Sequence, residues 1–236
     1  MNSISHLLIS LSTIILIGCN TKTSKTYETR SIEQGEEILN LDEEISNQEI
    51  KQEFKLTDDN VINFLFEYEK NNKENQIRIY TNYGEIDILL FSNTPYHRSN
   101  FIYLTKSNYF EGTQFYRVVN DFVIQAGNSD NIKTSLKRQK IGKYLLPNDF
   151  NKGHTHKRGM VSMPSSSIDN PYKMASPYEF FIVQKKDGAH HLDGNYTIFG
   201  TVINGMEIVD IIAGLPTDER DWPLNNVYIN KVEIIN

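Results

Sequence analysis

"FYRVVNDFVIQAGN", residues 115–128, reads as two short strands joined by a turn. Most of its positions are apolar or β-branched, yet Arg117 and Gln125 sit inside the two runs. Antiparallel strands alternate, so every second side chain can face water, and one reading leaves both groups solvated. The other reading has two apolar strands holding a guanidinium and an amide over a pocket. The rest of the chain decides between them.

On either side the period stays near two. "IRIY" (77–80) and "IDILLF" (86–91), joined by the turn "TNYGE", place Ile77 with Ile79, and Ile86 with Ile88 and Leu90, on common faces. After a polar loop come "GMVSM" (159–163), "YEFFIVQ" (178–184), "YTIFGTVI" (196–203) and "NVYINKVEII" (226–235). Two segments change to helical spacing. "TPYHRSNFIYLTKSN" (94–108) has Thr94 as cap and Pro95 at the first helical position, with His97, Phe101 and Leu104 on one face. "GMEIVDIIAG" (205–214) ends on Gly214 as a C-cap. Eight short strands and two helices in this order predict a mainly β domain, a closed antiparallel eight-stranded barrel with two covering helices.

Upstream, "LTDDNVINFLFEYEKNN" (56–72) predicts a further helix, with Val61, Phe64, Leu65 and Tyr68 on one face. Thr57 or Asp58 would cap it, and acids in its first turn would suit the helix dipole. Residues 20–74 hold fourteen acids against seven bases, whereas 75–236 hold sixteen against seventeen. The net charge of −6 therefore belongs to the leader. Neither part carries the basic stripe that a phosphate backbone demands, which argues against nucleic acid as a partner. "NTKTSKTYETRS" (20–31) reads as a polar tether. Residues 32–54 read as a solvated acidic linker or a marginal amphipathic helix. "LLISLSTIILI" (7–17) is uncharged, too short for a membrane span of roughly 20 residues, and fits the apolar region of a secretory signal. It runs into "LIGC", whose Cys19 is the only cysteine, so no intramolecular disulfide can form. The chain then divides into a signal peptide (1–18), an acidic tether (19–56), a helical extension (57–75) and the barrel domain (76–236).

The segments from "GEIDILLF" through "TPYHRSNFIYL", "FYRVVNDFVIQAGN", "HKRGMVSM", "FFIVQ" and "HLDGNYTIFGTVINGMEIVD" together resemble the cyclophilin family of peptidyl-prolyl cis–trans isomerases. The resemblance covers residues 76–236. It implies that Arg117 is the catalytic arginine and Gln125 binds the peptide backbone. Phe122, Val123 (where many relatives carry Met), Phe181 and Leu192 would line a proline pocket. Tyr196 stands where animal members carry histidine. His191 falls where some members have a tryptophan contacted by calcineurin-directed cyclic-peptide inhibitors. Pro164 and Ser165 replace an Ala-Asn pair that presents main-chain groups to substrate; Pro164 lacks an N–H but keeps its carbonyl. Glu179 replaces a glutamine. "LIGC" in turn resembles the lipobox of bacterial lipoproteins, which implies cleavage before Cys19 and lipid attached to it; the bland alternatives are a plain signal peptide or a buried N-terminal segment with an incidental thiol.

The chemistry can be argued from the residues alone. Rotation about an X–Pro amide meets a barrier of roughly 18–20 kcal/mol and breaks no covalent bond, so it needs neither acid, base, metal nor cofactor. A fixed guanidinium aimed at the nitrogen lone pair binds the twisted amide better than either planar form. The expectation is therefore a cofactor-free isomerase acting on proline-containing polypeptides outside the cytoplasm. It would be monomeric and held at the membrane through Cys19. A non-catalytic module that grips proline segments in the same groove is the rival reading. His154 and His156, and His190 with His191, come without a ligand set at metal spacing and read as exposed loop residues. The serines of "SMPSSSID" lack a nucleophile elbow, which argues against a hydrolase.

Overall fold

The computed structural model describes residues 54–149, 151–165 and 169–236. The expected signal, Cys19 and the tether up to residue 53 lie outside them.

Ten strands follow in chain order: β1 (Leu56–Thr57), β2 (Gln76–Thr81), β3 (Gly84–Leu90), β4 (Gln114–Val119), β5 (Val123–Asn128), β6 (Gly142–Lys143), β7 (Met160–Ser162), β8 (Phe180–Val183), β9 (Ile198–Asn204) and β10 (Ile229–Ile234). Eight of them form one antiparallel sheet in the order β10-β2-β3-β9-β7-β8-β5-β4, while β1 and β6 make a short parallel pair of their own. The sheet curls until its edges meet. Gly112 N–H donates to Ile229 O (2.9 Å), Ile229 N–H to Thr113 O (2.8 Å) and Phe115 N–H to Val227 O (2.9 Å), leaving the barrel nearly closed. The period-two residues Ile77, Ile79, Ile86 and Ile88 are fully buried inside it. Apolar burial of this kind drives the closure.

Among the described residues four α-helices accompany the barrel: α1 (Val61–Asn71), α2 (Pro95–Lys106), α3 (Ile132–Ile141) and α4 (Met206–Ala213). On α2, Phe101 stacks on Phe110 (4.5 Å between ring centroids) and meets Phe180 edge-on (5.4 Å). On α4, Val209 and Ile212 are buried in the same core. The α1 helix docks on α2 through Phe64 and Tyr68, which meet Tyr103 edge-on at 5.0 and 5.5 Å. Buried Arg98 pairs with Glu69 and donates to Lys73 O (3.1 Å).

Three sequence expectations change here. Two helices on the barrel become three, because α3 occupies the stretch read as a polar loop. Its Ile132 and Leu136 are exposed and only Thr134 and Ile141 are buried, so no apolar face was there to read. What makes it helical is local: the Asn131 side chain accepts Lys133 N–H (2.9 Å) as a cap, and good helix formers follow. The α1 helix starts after, not at, the expected caps. Its N-cap is Asn60, while the Asp58 carboxylate accepts Leu145 N–H (2.8 Å), so no acid stands in the first turn. Thr94 holds the N-cap position of α2 without a side-chain capping bond.

Candidate active site

The register of β4 and β5 answers the opening question. Phe115 pairs with Ala126 and Arg117 with Gln125, so Tyr116 is an extra residue, a β-bulge. A bulge re-aims side chains. Phe115 and Val118 go into the core, and the two consecutive residues between them, Tyr116 and Arg117, stay outside it. On β5, Ile124 and Ala126 point inward, which sends Val123 and Gln125 to the opposite face. On β8, Phe180 and Ile182 join the core, while Phe181 and Val183 join Val123 and Ala189 in a second apolar cluster. The unbroken "FFIV" run is thus covered on both faces.

Phe122, Leu192 and Tyr196 pack against that second cluster. Together they wall a cavity of about 240 Å³. Phe122, Val123, Phe181 and Leu192 supply its apolar lining, Arg117 and Gln125 its hydrogen-bonding side, and Pro164, Ser165 and Tyr196 complete it. His191 lies elsewhere: it is exposed, stacks on the Phe122 ring (5.3 Å, 21°) and lines an adjoining cavity of about 380 Å³. Ser165, Leu192 and Tyr196 are shared by the two cavities. The smaller one is below the roughly 300–1,000 Å³ of drug-sized sites and suits a single ring.

Several groups that hold this face were not singled out in the sequence. Asp221 Oδ2 lies 3.3 Å from Arg117 Nε, and its main-chain carbonyl accepts Val118 N–H (2.8 Å), stitching the loop onto β4. Both side chains are about 40% exposed (38% and 41%), so the pair orients the guanidinium without consuming it energetically. Tyr116 Oη accepts a hydrogen bond from Gln125 Nε2 and donates to Glu179 Oε2 (2.9 Å). The Pro164 carbonyl, the main-chain group that remains at that position, accepts Ser176 N–H (2.8 Å), and Ser165 Oγ donates to Met174 O (3.0 Å).

His156 corrects an expectation. It is fully buried, not an exposed loop residue: Nδ1 lies 2.6 Å from Asp193 Oδ1 and Nε2 lies 3.2 Å from Ser162 Oγ. Burial lowers its pKa, and the Asp193 carboxylate opposes that shift. Ser162 is itself fully buried and donates to Thr197 O (2.7 Å), so the Ser-His-Asp sequence of contacts offers no nucleophile to a substrate. Its place is structural, with the imidazole parallel to the Phe181 ring at 6.0 Å behind the cavity. Asp193 is 37 residues from His156, a separation that no local pattern reveals.

Residues 76–234 match the family profile described as cyclophilin type peptidyl-prolyl cis-trans isomerase/CLD. The chain belongs to the cyclophilin family. Peptidyl-prolyl cis-trans isomerase-like 2 of Rhizopus delemar is 33% identical over 171 residues, covering 72% of this chain and 30% of that protein. Peptidyl-prolyl cis-trans isomerase-like 3 of Gallus gallus is 35% identical over 161 residues, 67% of this chain and 94% of its own. A peptidyl-prolyl cis-trans isomerase of Acinetobacter baylyi is 35% identical over 166 residues, 67% and 84% respectively. Among solved structures, a Cryptosporidium parvum cyclophilin type isomerase superposes with a TM-score of 0.58 at 28% identity, covering 69% of this chain and 98% of that one. The same protein was also solved in the presence of the dipeptide Ala-Pro (TM-score 0.57, 29% identity, 68% and 99% coverage). Of the described elements, β1 and α1 lie before residue 76, where the family match begins.

Proposed function

We propose that this cyclophilin catalyses cis–trans rotation about X–Pro bonds in exported polypeptides, with Arg117 as the catalytic group. One observation carries the reading: the Arg117 guanidinium and an apolar seat of Phe122, Val123, Phe181 and Leu192 line the same small cavity. The seat holds the proline ring while the preceding carbonyl swings. As the amide twists, its nitrogen becomes pyramidal and exposes a lone pair, and a guanidinium donor beside it stabilises that state over both planar ones. Arginine suits this better than lysine, because its charge is permanent and its planar fork is positioned by few contacts. No covalent intermediate is involved. Gln125 grips the peptide backbone beside the ring. The Ala-Pro dipeptide used with the Cryptosporidium relative supports a proline ligand for this groove.

The finer placement rests on the sequence. The uncharged run at 7–17 followed by "LIGC" supports export and lipid attachment at Cys19, which would put the monomeric domain on the outer side of a membrane. The decisive experiment measures cis–trans exchange in an Ala-Pro-containing peptide by two-dimensional exchange spectroscopy, with and without the protein. Acceleration at substoichiometric protein supports the isomerase; saturable binding without acceleration would make the groove a holding module.

A further inference from the structure

A chain of hydrogen bonds runs from Gln125 away from the cavity and ends on α3. Gln125 Nε2 meets Tyr116 Oη; Tyr116 Oη lies 2.9 Å from Glu179 Oε2; Glu179 Oε1 lies 3.4 Å from Arg138 Nη2. Arg138 is held in turn: Nε donates to Tyr109 Oη (2.8 Å) and Nη2 to the Gly127 carbonyl (3.2 Å), which also accepts from Tyr109 Oη (2.7 Å). Its guanidinium lies over the Tyr178 ring at 5.1 Å.

Chemistry fixes the direction of every link. A guanidinium only donates and an ionised carboxylate only accepts. Tyr116 has a single hydroxyl proton, and burial together with Glu179 keeps that proton on it by raising its pKa. The proton therefore goes to Glu179, and the phenolic oxygen can only accept from Gln125. The amide of Gln125 must turn its NH₂ toward Tyr116 and away from the opposite orientation. Among the hydrogen bonds of the described residues, none engages Oε1, and Gln125 lines the cavity.

We infer that Tyr116 and Glu179, clamped by Arg138, are positioning residues that lock the Gln125 carbonyl oxygen toward the groove, so that it accepts from a peptide N–H beside the proline. This rests on the isomerase reading and sharpens it. A freely rotating glutamine could present either a donor or an acceptor to the substrate. The relay removes that ambiguity. It also gives Glu179 a reason to be a carboxylate: a neutral amide there would not dictate the direction of the Tyr116 proton.

The test reverses the relay. In Gln125→Glu the new carboxylate cannot donate to Tyr116, and KM for a proline peptide rises about tenfold or more, since its charge faces the bare lone pairs of the Tyr116 oxygen and the side chain is no longer held. Adding Glu179→Gln supplies a donor to Tyr116, whose proton then points to residue 125. The chain runs backwards, the carboxylate at residue 125 is held again with one oxygen toward the groove, and KM returns to within about threefold of wild type. In Tyr116→Phe, KM rises about three- to tenfold with kcat nearly kept, the loss of one modest hydrogen bond. Independently of activity, nitrogen-15 NMR of the Gln125 side-chain amide shows one displaced, bonded proton in wild type, and that displacement collapses in Tyr116→Phe. A double variant no better than Gln125→Glu, or an unchanged Gln125 amide in Tyr116→Phe, overturns the relay. Absence of isomerisation by the wild type overturns the isomerase reading alone, with the amide signal still deciding the relay.

Discussion

His97 should make the fold sensitive to mild acid. The residue sits on α2, fully buried beside Phe199, and among the described residues neither ring nitrogen has a hydrogen-bond partner. Burial alone pushes its pKa down to about 3. In the unfolded chain the imidazole titrates near ~6.5. The unfolded state therefore binds the proton first, so stability is fully present above pH ~6.5 and declines as pH falls toward the folded value. At about 1.4 kcal/mol per unit, the 3.5-unit gap amounts to on the order of 4–5 kcal/mol over the whole window. Between pH ~6.5 and ~4.5 carboxylates in the unfolded chain are still mostly ionised, so a loss of about 2–3 kcal/mol there belongs to histidine. His156 titrates in the same direction but is common to wild type and variant. The perturbation is His97→Leu, which keeps an apolar side chain of similar size and removes two unpartnered nitrogens. Urea unfolding followed by far-UV circular dichroism at half-unit pH steps measures the effect. The difference between wild type and variant should shift by about 2–3 kcal/mol in favour of the variant between pH 6.5 and 4.5. Parallel curves across that range would refute the argument, because they would mean that the imidazole charges inside the fold without cost.

Gly127 has a φ of 98°, and a Cβ there would stand 2.2 Å from the Tyr178 carbonyl oxygen. Gly127→Ala should lower stability by about 2–5 kcal/mol, read as a lower urea midpoint, since both backbone conformation and space oppose it. At the other end of the chain, the mature protein should begin at Cys19 carrying lipid. Mass spectrometry of the membrane fraction would show the acylated N-terminal peptide, and a Cys19→Ala variant that still fractionates with membranes would rule out the anchor.

Most of the barrel was legible because its strands alternate cleanly and its turns and covering helices carry local signals. Ile77, Ile79, Ile86 and Ile88 declare a buried face by period alone, and all four are at the barrel centre. Arg117 and Gln125 were legible as polar intrusions in apolar strands, and the structure places both on one cavity. What carries them was not legible. The Tyr116 bulge depends on pairing across two strands, and the Asp221 loop arrives from about a hundred residues away. Helix α3 shows no apolar stripe, so it looks like loop until its cap and its Arg138 contacts are seen. His156 failed for the opposite reason: in a polar stretch nothing marks a histidine as buried, and only tertiary contact with Asp193 and Ser162 satisfies it. The bond from Ser176 N–H to the Pro164 carbonyl likewise depends on a tertiary contact that no local pattern marks.

The Arg117 guanidinium should stabilise a twisted prolyl amide. The most direct measurement compares wild type with Arg117→Ala by NMR line-shape analysis of a proline peptide, separating the dissociation constant from the exchange rate of the bound peptide. Arg117 is partly exposed and outside the core, so the variant should keep its fold, checked by its circular dichroism and urea midpoint. Bound-state exchange should fall at least about a hundredfold, the scale of losing a transition-state donor, while the dissociation constant changes by less than about tenfold. A folded Arg117→Ala protein that exchanges the bound peptide at the wild-type rate would contradict it.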